Sequence, residues 1–326
     1  MNRINWGIIG CGDVTEIKSG PAFGKVPQSA LVAVMRRDAA KAEDYARRHR
    51  VARWYNDAYK LIQDQDVNAI YVATPPDSHE EYATAAMRAG KPVYLEKPMS
   101  IDVASASRIA NIAHEKNLKL VVAHYRRAQP RFKTIRQLIL DGMIGKVLVA
   151  KLELSKPPYT KAELEDPRNA WRVNPAIAGG GLFHDLAPHQ LDLMYYFFGP
   201  VQKVQGIATR QGGQYDADDM VVANILFQNG VACCGSWCFN APCTSLTDQC
   251  EILGTNGTIS FNVFSSNSFR LLTKENERTF SFDELQHVQQ PMIEATVRYF
   301  LGEGPNPCTP DEGCEIMRLM AAIVEA

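Results

Sequence analysis

The chain has 326 residues, is 46% apolar and 22% charged, and carries a formal net charge of −1. That length indicates two domains, and the balanced composition excludes disordered and fibrous classes. A near-neutral chain without single-sign runs argues against nucleic acid or an anionic membrane as partner, which leaves a small-molecule ligand.

Ile4–Ile9 is a short apolar run that ends in Gly10-Cys11-Gly12. Leu31–Met35 is a second run, followed by Ala39–His49, which is helical in composition. Ala69–Ala73 is a third, closed by Thr74-Pro75-Pro76, where the prolines dictate a loop. Asp77 and Glu80 have capping-box spacing, Tyr82, Ala85, Ala86 and Ala89 recur at helical period, and Gly90 is the stop. Pro92–Leu95 reads as a strand, Ser100 as the cap of a helix carrying Ile101, Ile109, Ile112 and Ala113, and Leu118–Ala123 as the next strand. Such alternation with short connections predicts a doubly wound parallel sheet wrapped by helices.

The pattern changes after Tyr125. Phe132–Leu140 is helical and Val147–Leu154 alternates like a half-buried strand. Val221–Phe227 and Val231–Phe239 flank Asn229-Gly230, and Asn256-Gly257 separates Glu251–Leu253 from Thr258–Phe261; both are hairpin signals. The expectation is an α/β chain with a dinucleotide-binding domain over residues 1–124 and a second α/β domain over 125–326, its open sheet largely antiparallel. The last helix, roughly Gly313–Glu325, is free to pack back on the first domain. Absence of a secretory pattern and of a membrane-length apolar run makes a cytoplasmic location the expectation. The eight cysteines form no Cys-x-x-Cys pair, so buried free thiols are expected rather than a zinc ribbon. His184, Asp185 and His189 lack a further convergent ligand, and no metal is expected.

Gly10-Cys11-Gly12 stands directly after a strand, with Asp13 and Val14 opening a helix. A dinucleotide fold needs glycines there, one for the tight turn and one to let pyrophosphate approach the backbone. The third small position of that fingerprint is Thr15, and the same turn can also serve as a plain connection. After the second strand comes Met35-Arg36-Arg37-Asp38. Guanidinium groups at Arg36 and Arg37 suit a 2′-phosphate and favour NADP over NAD. Asp38 reads equally as a helix cap or a ribose ligand.

Glu96-Lys97-Pro98 closes a strand in the same half, and Gly179-Gly180-Gly181-Leu182-Phe183-His184-Asp185-Leu186-Ala187-Pro188-His189 follows in the second. With the glycine turn, these segments make the whole chain resemble the Gfo/Idh/MocA oxidoreductase family. The resemblance implies a Rossmann domain, a second domain whose sheet pairs subunits into a homodimer or homotetramer, and a set of roles. Lys97 matches a lysine touching both nicotinamide ribose and substrate oxygen, with Glu96 beside it. Asp185 and His189 match the substrate-side pair. Thr74, Pro75 and His79 match a loop lining the cofactor, Trp171-Arg172 a pair reaching the nicotinamide end, and Arg126 a substrate-facing arginine. Ala187 and Pro188 depart from the family's usual turn before His189.

Lys97, Asp185 and His189 suit hydride chemistry. Reduction builds negative charge on oxygen, which a fixed ammonium stabilises and an imidazole protonates. Asp185 and His189 are four residues apart and share a helix face, so the carboxylate can orient the imidazole or pair with Lys97. The expected function is an NAD(P)-dependent oxidoreductase acting on a sugar, polyol or related cyclic compound. A glycosidase using bound NAD for transient oxidation and a non-catalytic nicotinamide sensor are the alternatives.

Overall fold

The structure, a computed structural model, describes residues 2–325. The chain divides into two compact units, one running to Ala128 and resuming over Leu285–Met317, the other formed by Gln129–Glu284 and the residues from Arg318 on.

In the first unit, six strands form one parallel sheet: β1 (Ile4–Ile9), β2 (Ser29–Met35), β3 (Arg53–Tyr55), β4 (Ala69–Val72), β5 (Val93–Leu95) and β6 (Leu120–Val122). Their order, β3-β2-β1-β4-β5-β6, is that of two mononucleotide-binding halves meeting between β1 and β4. The helices between them are α1 (Asp13–Glu16), α2 (Ala39–His49), α3 (Ala58–Gln63), α4 (His79–Arg88) and α5 (Val103–Glu115). β4, β5 and β6 are buried along their whole length, as strands covered on both faces must be. Two caps differ from expectation. α4 starts after Ser78 with no side-chain cap, because Pro76–Ser78 forms a short 3-10 turn that displaces Asp77. Asp102, not Ser100, caps α5 by accepting the Ser105 N–H at 2.6 Å. Gly90 does close α4, at φ +77°.

The second unit begins with α6 (Pro130–Leu140), β7 (Val147–Ser155) and three short helices, α7 (Lys161–Glu165), α8 (Pro167–Ala170) and α9 (Pro175–Ala178). The long α10 (Leu182–Phe198) leads into β8 (Val201–Thr209), β9 (Met220–Phe227), β10 (Ala232–Cys238), β11 (Thr247–Gly254), β12 (Gly257–Phe261), β13 (Ser268–Thr273) and β14 (Glu277–Ser281). These form one sheet, β14-β13-β12-β11-β7-β10-β9-β8, antiparallel at every pairing except β7 with β10. The Asn229-Gly230 hairpin is present, with Gly230 at φ +86°. One sheet face is apolar and buried through Leu152, Leu154, Val221, Ile225, Trp237, Ile252 and Ile259.

α11 (Gln290–Leu301) has no counterpart among the expected elements and belongs to the first unit. The last helix, α12 (Pro310–Val324), begins three residues earlier than its composition indicates. No helix of the described residues is long and apolar enough to cross a membrane, and no metal-binding group of three or more His, Cys, Asp or Glu side chains occurs among them. All eight cysteines are free. Five are buried as expected, but Cys234 and Cys243 are exposed, because they lie on an outward-facing strand position and a surface turn.

Candidate active site

In the first unit, β1, β2, β4 and β5 end side by side, and the glycine turn, the arginine pair, Thr74 and Lys97 leave from those ends. Gly10 has φ +94°, and a Cβ there would lie 2.8 Å from the Thr74 backbone nitrogen, so only glycine serves. Gly12 differs. A Cβ on it would meet nothing closer than 4.0 Å, so the protein's own packing makes no demand for glycine, and the space beside it is open to a ligand. α1 is a single turn. Its dipole is correspondingly small, and anion binding there falls to the first backbone N–H groups, which lack intrahelical partners. Thr74 adds a buried hydroxyl with no hydrogen-bond partner among the described residues. An open glycine and an orphan hydroxyl on adjoining strand ends fit a dinucleotide.

The arginine pair separates. Arg36 Nη1 donates to the Cys11 carbonyl at 3.3 Å and braces the glycine turn. Arg37 is exposed and lines a recess of about 540 Å3 with Met35, Asn56, Lys60 and Tyr82. Asp38 is the cap of α2, accepting the Lys41 N–H at 3.1 Å. Burial raises the Cys11 thiol to about 11, against the opposing pull of Arg36, so it packs as a neutral group.

Lys97 is placed by its neighbour. Glu96 is 5% exposed; its Oε1 accepts from the Tyr71 hydroxyl at 2.5 Å and from Gln289 Nε2 at 2.6 Å, and its Oε2 accepts the Lys97 backbone N–H at 3.1 Å. The Tyr94 hydroxyl donates to Gln289 Oε1 at 2.9 Å and completes the network. The Glu96 carboxylate thus fixes the strand end from which Lys97 projects. The peptide after it, Lys97–Pro98, is cis. His79 is fully buried, with Nδ1 3.0 Å from the Pro98 carbonyl and Nε2 2.8 Å from the Thr74 carbonyl, so it bridges the Thr74-Pro75 loop to the lysine turn. Burial pushes its imidazole below the ordinary value, opposed by those carbonyls and by Glu96. Arg126 lies in a 3-10 turn of this unit with its guanidinium 5.5 Å from the Tyr125 ring centre.

In the second unit, the three glycines before α10 each have a separate reason. Gly179 ends α9 at φ +78°. A Cβ at Gly180 would fall 1.8 Å from His184 Nδ1, so its absence makes room for that ring. Gly181 caps α10 against Ala217, 2.6 Å from where its Cβ would stand. α10 starts at Leu182, so Asp185 is not its cap, and Pro188 lies inside it, leaving the His184 carbonyl without the usual N–H. Asp185 Oδ2 instead pairs with Arg172 Nε at 3.2 Å. Arg172 also lies over the Trp171 ring, 4.6 Å from its centre. Burial raises the Tyr159 hydroxyl, which lies near that ion pair. One turn beyond Asp185, His189 is 6% exposed and meets the Phe264 ring edge-on at 5.7 Å. Burial holds the His184 imidazole down at about 4.

The structure therefore gathers Gly10, Gly12, Thr74, His79 and Lys97 at one sheet end, and Trp171, Arg172 and Asp185 around the start of α10. Sequence reasoning missed Tyr71, Tyr94 and Gln289 behind Lys97, Asn56 and Lys60 beside Arg37, and Phe264 beside His189. Gln289 stands 193 positions from its partner Glu96 and carries no local signal.

A profile described as the oxidoreductase family with an NAD-binding Rossmann fold matches residues 4–124, and one described as the GFO/IDH/MocA C-terminal domain matches residues 132–260. An oxidoreductase of Formosa agariphila is 43% identical over 321 residues, 98% of each chain. The 1,5-anhydro-D-fructose reductase of Ensifer adhaerens is 26% identical over 334 residues, spanning 100% of this chain and 96% of its own. Among solved structures, levoglucosan dehydrogenase in complex with NADH and levoglucosan shares the fold, with a TM-score of 0.87 at 23% identity over 99% of this chain and 96% of that one.

Proposed function

The chain belongs to the Gfo/Idh/MocA oxidoreductase family and is an NAD(P)-dependent dehydrogenase or reductase, and from that premise we propose that it acts on the hydroxyl-bearing or carbonyl carbon of a sugar, polyol or related cyclic compound. The observation that carries this reading is Lys97, an ammonium-bearing side chain on a strand end fixed by a buried carboxylate and adjoining the open glycine turn. Sugar-acting relatives support the substrate class.

Bound nicotinamide supplies or accepts the hydride. Lys97 stabilises the charge that develops on the substrate oxygen. His189 moves the proton of that oxygen. Asp185, paired with Arg172, presents oriented acceptors and donors to neighbouring hydroxyls. These roles are carried over from the family's pattern. Arg37 and Lys60 in one recess supply two cations for a 2′-phosphate, which favours NADP over NAD.

A homo-oligomer is part of the same proposal. On the outer sheet face, Ile207 pairs across strands with Val222, and Leu226 with Ala232 and then Val149. Ile207 is 65% exposed, and such an apolar row calls for a partner surface. Light scattering at micromolar concentration should show a dimer or tetramer; a monomer sinks this part.

The main test is a screen of sugars, polyols and cyclic ketones with NADP(H) and NAD(H), followed by nicotinamide absorbance. Turnover with a hydroxyl or carbonyl substrate is expected. Glycoside cleavage without net absorbance change would replace this reading with a redox-assisted hydrolase.

A further inference from the structure

The turn after β12 has an unusual concentration of fixed charge around it. Asp248, on the neighbouring β11, accepts the Val263 N–H on Oδ1 at 3.0 Å. Its Oδ2 accepts the Phe264 N–H at 2.7 Å, the Ser265 N–H at 2.8 Å and the Ser265 hydroxyl at 2.9 Å. Asn262 Nδ2 also donates to the Asp248 carbonyl. On its other side the Val263 carbonyl accepts from Arg131 Nη2 at 3.3 Å, and Arg131 is 5% exposed on α6. One carboxylate and one guanidinium therefore hold three consecutive residues of a turn that has no regular secondary structure. Charge-assisted bonds of this kind are about twice as strong as neutral ones.

That expense on a connecting turn has one product within the unit. The middle residue, Phe264, places its ring 5.7 Å from the His189 imidazole, at an interplanar angle of 77°. Aromatic pairs at this spacing prefer an edge-to-face arrangement, so the Phe264 ring favours one orientation of the imidazole. His189 is on α10 and Phe264 between β12 and β13, so the anchoring of the turn contributes to the register of the two rings.

We propose that Asp248 is a positioning residue for this enzyme, acting through Phe264 on the orientation of His189. The proposal rests on the reading of His189 as the proton carrier. Asp248→Asn is the sharpest probe. Either amide orientation turns an NH2 group toward backbone N–H donors that now meet oxygen, while side-chain volume hardly changes.

The experiment is NMR of the full chain with ring-labelled histidine. The seven histidines give separate signals, and His189 is assigned by its loss in His189→Gln. Phe264→Leu removes the ring current and defines the displaced position of the His189 resonances. Asp248→Asn is expected to move them toward that same position and leave the five histidines of the first unit unmoved. With a substrate from the screen, its kcat should fall about tenfold, since small misplacements of a catalytic group cost up to about 10²-fold, while KM for NADP(H) stays constant. Resonances that remain at their wild-type position overturn the proposal, as does a shift without loss of kcat. Should Asp248→Asn fail to fold, Ser265→Ala removes one of the four donors and must move the same resonances by less. If His189→Ala keeps full turnover, the catalytic reading of His189 falls, whereas the resonance shift still decides whether Asp248 sets its ring.

Discussion

Lys97 and His189 are held in opposite ways. Lys97 follows a three-residue strand by two residues, on a strand end pinned by hydrogen bonds to one buried carboxylate. His189 stands on a long helix with the Phe264 ring edge-on to it, and Gly180, before that helix begins, clears space for the His184 ring. The first arrangement fixes a charge at one point. The second sets an aromatic ring beside the group proposed to carry the proton. Polar anchoring suits a side chain proposed to present a charge at one point, and an aromatic neighbour suits an imidazole proposed to exchange a proton.

The largest effects should come from deleting the two groups themselves. Lys97→Ala and His189→Ala are each expected to lower kcat about 10²-fold or more, with cofactor affinity little changed, as measured by steady-state kinetics and fluorescence titration. The two should not add in the double mutant, since both serve one step. His189→Ala with wild-type kcat would break the comparison outright.

Next in size is the steric side. Gly180→Ala drives a methyl into the His184 ring and should cost about 1–3 kcal/mol of stability, read by chemical denaturation. The polar side has its equivalent in Gln289→Ala, which leaves Glu96 with one donor fewer at Oε1. Exposing a buried carboxylate to an unmet bond costs about 1–3 kcal/mol. Equal losses of kcat in both variants would show that the two anchoring modes do not differ in function.

His184 sharpens the contrast through pH. Its folded-state value near 4 lies below the ordinary 6.5, so the unfolded chain binds the extra proton first. Stability contributed by neutral His184 is therefore full above pH 6.5 and is lost as pH falls toward 4, by about 3 kcal/mol. Thermal melts across that window should show the decline, and His184→Gln should flatten it. The smallest effect belongs to the cofactor recess. Arg37→Ala should weaken NADP(H) about tenfold, roughly the worth of one charged hydrogen bond, and leave NAD(H) unchanged. Equal affinities for both cofactors in the wild type would remove the NADP preference.

Much of the first unit was legible in the sequence because its chemistry is local. Gly10, Arg36, Thr74 and Lys97 each sit one or two residues past a strand, and Ala39–His49 is found as α2 to the residue. The caps went astray where two polar side chains compete within a turn, as with Ser100 and Asp102. Pro188 gives no signal of where α10 starts. Proline is common in a first turn, but α10 tolerates it deeper, at the cost of one hydrogen bond. In the second unit, the helices over residues 161–178 are each one turn long and too short for any periodicity. Arg172 reaching Asp185, and Asp248 reaching the Phe264 turn, join segments whose proximity follows from the tertiary fold of the second unit.

The bond between Glu96 and Gln289 also orders events in time. Ribosomes deliver roughly 5–20 residues per second, so the carboxylate emerges about 10–40 s before the amide that completes its shell, 193 residues later. Through that interval the nascent strand end carries a carboxylate short of a donor, in a segment destined for full burial. The first unit can complete the Glu96 network only once Gln289 has emerged, so its strand ends are the last part of that unit to be fixed.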